Sequence, residues 1–297
     1  MKATFCINTS RNEKDHLELL LTSLLNGVDV KLHDFLVFVD SDNQNTTDLL
    51  LANKADFPNL TIIKNNGDPV GYAGNINYMF QKAKTDVVSY LQSDMVVCLE
   101  YDKKVLSALP EGAVLCATRV EPPLHCLNDN EVTYIRNFGF TPAEFKYEDF
   151  LRFAETQKNS HKLTNYFFAP FTLYKNVWND IGGHDVSFKK SREDSDIAMR
   201  LALSKVNFIQ HWDALVYHFT CTSSRGIEWW TKENQEKEVI RQQNDAIEMK
   251  RFMKKWHSFC HPTRYDDVAP LAHQYPDILN NIVVKNPPID ESKLTIL

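Results

Sequence analysis

No stretch of the chain approaches the roughly 20 consecutive apolar residues of a membrane-spanning helix, so stable membrane insertion is not expected and any membrane contact would be peripheral. The opening Met1-Lys2-Ala3-Thr4-Phe5-Cys6-Ile7 reads directly into a strand and lacks the long apolar core and cleavage site of a secretory signal. A soluble, cytoplasmic protein is therefore the expectation. There is no excess of positive charge: the formal net charge is −6, which argues against a protein that coats nucleic acid through a basic face. Cysteine patterning is missing as well. Cys6, Cys98, Cys116, Cys126, Cys221 and Cys260 form no C-x-x-C pair and no zinc-finger spacing. Several fall inside apolar runs and read as buried free thiols in a reducing compartment. Internal repeats and low-complexity tracts are absent too.

What remains is globular. Of 297 residues, 43% are hydrophobic and 24% charged, which supplies a core for one large domain or two small ones. The first third alternates strand-like and helix-like segments. Residues 3–8 form a β-rich run. Ser10 and Glu13 have capping-box spacing, and Leu17, Leu20, Leu21, Leu24 and Leu25 then recur at helical period. Residues 35–40 read as a buried strand, 47–54 as a helix, 60–64 as a strand, 71–84 as a helix and 87–91 as a fourth strand. Such alternation predicts an α/β fold, a mostly parallel sheet with helices on both faces. Ligands in such sheets sit beyond the carboxyl ends of the strands. Further on, 113–120 and 166–173 read as strands, and 121–165 as an irregular insertion lining the site. A helix is expected near Asp194, short strands at 206–210 and 214–219, and a long amphipathic helix over 228–256. The polar, proline-containing tail is expected to wrap the surface or to be partly disordered.

The residues just after strands carry the candidate chemistry. Asp94 follows the fourth strand, where a carboxylate can hold Mg²⁺ or Mn²⁺ while a diphosphate supplies further oxygens; it fits a solvated turn equally. Glu193, Asp194 and Asp196 form an acidic cluster that offers a general base, although Ser191-x-x-Asp194 also reads as a capping box with acids in a helical first turn. His218 ends a strand as a third metal ligand or as a hydrogen-bonded semi-buried histidine. Asp40 and Asp42 close the second strand as nucleoside ligands or as an Asx-turn. Gly71-Tyr72-Ala73-Gly74-Asn75 opens a helix where backbone can approach phosphate or simply pack tightly. Trp229, Trp230 and Trp256 suit sugar stacking or core packing, and Lys254, Lys255 and Arg264 suit solvated surface.

The order of these pieces resembles the family 2 glycosyltransferases over residues 3–257. Cys6 to Glu13 is similar to that family's first strand and turn, and Phe38 to Asn43 to its nucleoside-binding strand end. Asn65-Asn66-Gly67 through Asn77 resembles its helix entry. Gln92-Ser93-Asp94 stands at its D-x-D motif, and Phe168–Tyr174 through Ile181–Asp185 at its acceptor-side segment. Glu193-Asp194 falls at the catalytic E-D position, His218 with Ser223 at the H-x-x-x-x-S element, and Met253–Trp256 at a Lys-Trp feature. Two positions depart: Gln92 replaces the first D-x-D aspartate, and His184 replaces a usual aromatic.

The resemblance implies a GT-A fold, with residues 1–225 as catalytic domain (1–99 holding the nucleotide sugar, 100–225 the acceptor) and 226–297 as a C-terminal helix and tail packed on it. It implies an inverting, metal-assisted sugar transfer from a nucleotide-diphosphate donor, UDP-sugar favoured, to an acceptor hydroxyl. Asp194, with Glu193 beside it, is the implied base. Asp94 and His218 would hold Mn²⁺ or Mg²⁺. Thr9, Arg11, Asn12, Asp40, Asp42, Asn66, Gly71, Gly74, Asn75, Gln92 and Ser93 would hold the donor, and Gly182, Gly183 and His184 the acceptor. The implied acceptor is a glycan or lipid-linked saccharide; the net charge disfavours a modified DNA base. A nucleotidyltransferase on a similar core, or an inactive sugar-nucleotide-binding module suggested by Gln92, are the alternatives. Nothing in the motifs specifies an oligomeric state.

Overall fold

The computed structural model describes residues 1–124, 126–158, 163–189, 191–220, 232–259 and 261–297. The strands are β1 (Thr4–Thr9), β2 (Asp34–Val39), β3 (Leu60–Asn65), β4 (Val87–Gln92), β5 (Met95–Val97), β6 (Ala113–Glu121), β7 (Thr133–Ile135), β8 (Leu163–Thr164), β9 (Phe171–Tyr174), β10 (Asn207–His218) and β11 (Leu294–Ile296). The α-helices are α1 (Lys14–Gly27), α2 (Thr46–Ala52), α3 (Tyr72–Lys82), α4 (Tyr101–Ser107), α5 (Tyr147–Thr156), α6 (Lys175–Asp180), α7 (Glu193–Leu203), α8 (Lys232–Trp256) and α9 (Tyr265–Gln274).

One sheet organises them, in the order β11-β3-β2-β1-β4-β9-β6-β10-β5, with β7 on β6 and β8 on β10. The pairs β1–β2, β2–β3, β1–β4 and β6–β10 are parallel, while β9 lies antiparallel between β4 and β6. Buried on both faces, the inner strands carry the continuous apolar runs that parallel sheets require; Phe35 to Val39 are all buried. On α1 the helical period puts Leu17, Leu20, Leu21 and Leu24 fully into the core, each contributing about 1.5–3 kcal/mol. Leu25 turns outward, 40% exposed.

The second half departs from the sequence expectations in several places. The run 166–173 is a strand only from Phe171, because Pro170 cannot donate a ladder hydrogen bond. The two expected strands at 206–219 are one strand, β10, with a register shift between His211 and Leu215; a bulge reads as a break when only periodicity is followed. The insertion 121–165 contains β7 and the amphipathic α5. Residues 228–231 of the expected long helix lie outside the described residues. The tail is ordered: α9 precedes a closing strand, β11, which pairs antiparallel with β3, Leu294 opposite Asn65.

Two further contacts fix where the site will be. Gly182 has φ +76°, and a Cβ there would lie 2.1 Å from the Val284 carbonyl oxygen, so only glycine lets the tail pass. Asn286 completes that crossing: its Nδ2 donates to the carbonyls of Gly182 (2.8 Å) and His184 (2.7 Å), and its Oδ1 accepts from Val186 N at 3.1 Å. Behind this loop Arg200 of α7 is completely buried. Its Nε donates to Asp196 Oδ2 at 2.8 Å and its Nη1 to the carbonyls of Ile181 (3.1 Å) and Gly183 (2.5 Å). The other Asp196 oxygen accepts from Trp256 Nε1 (2.9 Å) and from Lys255 Nζ (2.7 Å), and Lys255 also bridges to Asp185 at 2.7 Å. Removing one partner of a buried ion pair leaves the other uncompensated. Asp196→Ala is therefore expected to lower stability by about 3–5 kcal/mol in urea denaturation, and a loss below about 1 kcal/mol, the level of a surface pair, would contradict this account.

Candidate active site

The turns after β1, β2 and β4 meet at one end of the sheet. Glu13 joins the first to the last: its Oε2 accepts from Ser10 N (2.8 Å) and from Ser93 Oγ (2.7 Å). Arg11 Nε donates to Ser41 Oγ at 2.9 Å. Asn12, held at φ +62°, pairs reciprocally with Asn43. Thr9 Oγ1 and Asn75 Oδ1 are buried here with no hydrogen-bond partner.

Several expected donor ligands are occupied by the fold itself. Asp40 accepts from Val70 N (2.8 Å), Gly71 N (2.9 Å) and Asn65 Nδ2 (3.1 Å), clamping the loop that leads into α3. That clamp and the φ of +85° at Gly71 set the entry of the helix, and a Cβ at Gly74 would strike Val70. Asp42 caps α2 through Thr46 N, Thr47 N and Thr47 Oγ1, which also lowers its pKa against burial. Asn66 donates to Lys293 O (3.2 Å) and Thr295 Oγ1 (2.9 Å) of the tail. Gln92, at the end of β4, is half-buried.

Asp94 and His218 are brought together by β5 and β10, whose pairing sets Met95 opposite His218. Asp94 Oδ2 lies 3.6 Å from His218 Nε2. That is long for a hydrogen bond but suits two ligands of one cation at about 2.0–2.2 Å each. His218 Nδ1 contacts Glu121 Oε1 at 2.9 Å. A carboxylate only accepts, so Nδ1 donates to Glu121 and Nε2 is the nitrogen turned toward Asp94, the orientation that outer-sphere carboxylates give metal-ligating histidines. Among the described residues no group of three or more His, Cys, Asp or Glu side chains forms a metal site by itself. A cation here would take its remaining ligands from substrate and water, as Mg²⁺ commonly does.

Across the cleft, α7 presents Glu193 and Asp194 in its first turn. The expected capping box is not formed: Ser191 Oγ donates to Asp245 instead (2.9 Å), and Arg192 stands at φ +69°. Tyr72 Oη donates to Asp194 Oδ1 at 3.4 Å. Burial raises the Asp194 pKa, while His261, Arg119 and the Tyr72 hydroxyl pull it down. Glu193 is pushed up to about 8, first by burial and then by Asp194 beside it, and its Oε2 has no partner. Burial, then the Asp194 and Asp94 carboxylates, hold the Tyr90 phenol well above its ordinary range. Tyr72, which reaches Asp194, also sets its ring edge-on to Tyr90 of β4, with centroids 5.4 Å apart.

In the loop Gly182-Gly183-His184, Gly182 lines a cavity together with Gly74, Asn77 and Asn286. His184 is fully buried, its ring edge-on to Trp178 and Tyr72, with neither nitrogen hydrogen-bonded. Burial and then Arg200 push its pKa down to about 3, so the ring is neutral. Asn77 grips its backbone on both sides at 2.8 Å. Expected site residues Ser223, Trp229 and Trp230 lie outside the described residues.

Residues not anticipated from the sequence are Tyr72, Arg119, Glu121 and His261. His261 reaches Ser195 Oγ (3.2 Å) and Phe167 O (3.0 Å) from beyond α8. Arg119 and Glu121 did carry a signal: two charges at strand period close an otherwise apolar strand.

A profile of Glycosyl transferase family 2 matches residues 6–178. No curated protein matches the sequence. Among solved structures, the chain is similar to S. aureus TarS 1-349 in complex with UDP-GlcNAc, at 17% identity over 73% of this chain and 58% of that one, with a TM-score of 0.50. It is similar to GalNAc-T7 with UDP, GalNAc and Mn²⁺ at 14% identity over 73% and 43%, TM-score 0.56. The mannosyltransferase PcManGT from Pyrobaculum calidifontis in complex with GDP-Man and Mn²⁺ aligns at 14% identity over 94% and 72%, TM-score 0.55. These likenesses establish the GT-A fold. The chain spans about 60% of the length of TarS 1-349.

Glu193 gives a stability test. Its folded pKa lies above the model-peptide value, so between about pH 4.5 and about 8 the folded state holds a proton that the unfolded state has lost. Stability conferred on the protonated form is present at low pH and declines as pH rises through that window. Glu193→Gln should be more stable than the parent at pH 8 and indistinguishable near pH 4, in urea melts across pH. A gap that does not depend on pH would contradict the assignment.

Proposed function

The chain belongs to glycosyl transferase family 2, and we propose that it transfers a sugar from a nucleotide-diphosphate donor to an acceptor hydroxyl, by a single inverting displacement with Asp194 as base. The observation that carries this reading is the placement of two acids around the end of β4: Asp94 just past it, 3.6 Å from His218, and Asp194 held by the hydroxyl of Tyr72, whose ring packs edge-on against Tyr90 of that strand. Support comes from the family match and from solved neighbours that hold UDP, UDP-GlcNAc or GDP-Man. A UDP-sugar is the favoured donor, and a glycan or lipid-linked saccharide the favoured acceptor.

In this mechanism the turns after β1, β2 and β4 hold the nucleotide, with Thr9 Oγ1 and Asn75 Oδ1 available as buried polar contacts. Asp94 and His218 would hold Mn²⁺ or Mg²⁺, which neutralises charge on a departing diphosphate when bound; Mn²⁺ accompanies the nucleotide in two of the neighbours. Glu121 keeps the His218 ring oriented. Asp194 takes the acceptor proton as that oxygen attacks the anomeric carbon, and the glycosidic electron pair leaves on the diphosphate. Burial makes Asp194 a stronger base than a solvated aspartate, and its Oδ1 is steadied by Tyr72. Glu193, protonated at neutral pH, adds no second charge.

Release of nucleoside diphosphate from a panel of UDP- and GDP-sugars with Mn²⁺ or Mg²⁺ tests the reading. Asp194→Asn should lower turnover by about 10²–10⁴-fold while donor affinity stays nearly unchanged; undiminished turnover removes Asp194 from the role. Asp94→Ala should abolish the metal dependence of nucleotide binding. Pyrophosphate as product would indicate a nucleotidyltransferase. Donor binding with neither transfer nor donor hydrolysis would indicate the binding module that Gln92 suggests.

A further inference from the structure

Arg119 is a charged group close to the site that the transfer mechanism leaves unused. On β6 it stands two residues from Glu121 and so on the same face of the sheet, opposite Val216 of β10. Its side chain is 25% exposed, and its guanidinium lies over the Phe168 ring, 4.7 Å from the centroid. The nearest acid oxygen, Glu121 Oε1, is 3.4 Å from Nε and already accepts from His218. Nε is buried without a hydrogen bond, and among the described residues neither terminal nitrogen has a partner.

The guanidinium is therefore under-satisfied rather than locked: its buried Nε lacks a hydrogen bond, its one acid contact is shared with His218, and its terminal nitrogens remain accessible. Arg200, a structural arginine, differs: its Nε and Nη1 make three hydrogen bonds to Asp196 and two carbonyls, and only its Nη2 is left unpaired among the described residues. Arg119 has the opposite character, a planar fork with its ends open. Phe168, under the guanidinium, follows Phe167, whose carbonyl meets His261 at 3.0 Å, and His261 in turn meets Ser195 Oγ, next to Asp194, at 3.2 Å, so the geometry sets Arg119 toward the base. Glu121 and Asp194 make that neighbourhood acidic, so an anion entering it needs a dedicated cation.

We propose that Arg119 is a specificity residue that receives a carboxylate or phosphate group of the acceptor, next to the hydroxyl that Asp194 deprotonates. The acceptor is accordingly an anionic saccharide. The proposal rests on the transfer reading above. The fork pairs with two oxygens of either group at once, which lysine cannot reproduce.

Binding of methyl glucuronide, glucose 6-phosphate and neutral methyl glucoside to the full chain, measured by ligand-observed NMR with UDP and diamagnetic Mg²⁺ present, tests it. The parent should prefer at least one anionic sugar over the glucoside by roughly ten-fold or more. Whether the carboxylate or the phosphate sugar binds better identifies the group. Arg119→Gln should erase the preference, and Arg119→Lys should retain only part of it, while both keep the parent affinity for UDP with Mg²⁺. Equal binding of charged and neutral sugars, or a preference that survives in Arg119→Gln, overturns the proposal. So does a parallel loss of UDP affinity, which would assign Arg119 to the leaving diphosphate. Failure of the parent to bind UDP or GDP at all would instead count against the transfer reading, since the sugar comparison reads Arg119 without it.

Discussion

The buried ion pair of Asp196 and Arg200 constrains everything around the cleft. Neither side chain has any exposure, and a charge pair withdrawn from water depends on further hydrogen bonds to its other donors and acceptors. These recruit the Ile181 and Gly183 carbonyls, the Trp256 indole and the Lys255 ammonium, and among the described residues only Arg200 Nη2 is left over. One turn of α7, the glycine loop and the end of α8 therefore share a single arrangement. Asp194 lies two residues ahead of Asp196 on the same helix, so its direction is set by a network that never touches substrate.

Carboxylates elsewhere in the cleft divide by surroundings rather than by residue type. Asp40, Asp42 and Glu13 are saturated by backbone amides and hydroxyls and act as braces for three turns. Asp94 meets an imidazole, Glu121 orients that imidazole, and Glu193 and Asp194 are raised by burial. One chemical group thus serves as scaffold, ligand, orienter and base according to how many donors point at it.

The parallel half of the sheet was legible because its strands are apolar on both faces and its helix α1 keeps a clean period. The strand-end positions of Asp40 and Asp94 could be read in the same way, since topology alone directs attention there, while Asp194 was legible as an acid in the first turn of a helix. Other features could not. The bulge in β10 broke the period that would have identified one long strand. Tyr72 and His261 reach Asp194 across 122 residues of sequence in one case and from beyond α8 in the other, and no local pattern announces such contacts. His184 looked like a loop residue beside two glycines; its burial follows from Asn77, Asn286 and Arg200, all distant in the chain. Asp40 and Asp42 were ambiguous between ligand and turn, and only coordinates reveal that their oxygens are already shared with the backbone.

The tail strand has a directional consequence. β11 runs antiparallel to β3, starting opposite Asn65 at the cleft end and finishing with Leu297 hydrogen-bonded both ways to Ile62. Polypeptide joined beyond Leu297 would leave toward the opposite rim, so a fusion partner or surface tether attached there would hang clear of incoming substrate. The same strand shields the outer edge of β3, whose bare amides and carbonyls would otherwise offer a template for intermolecular pairing.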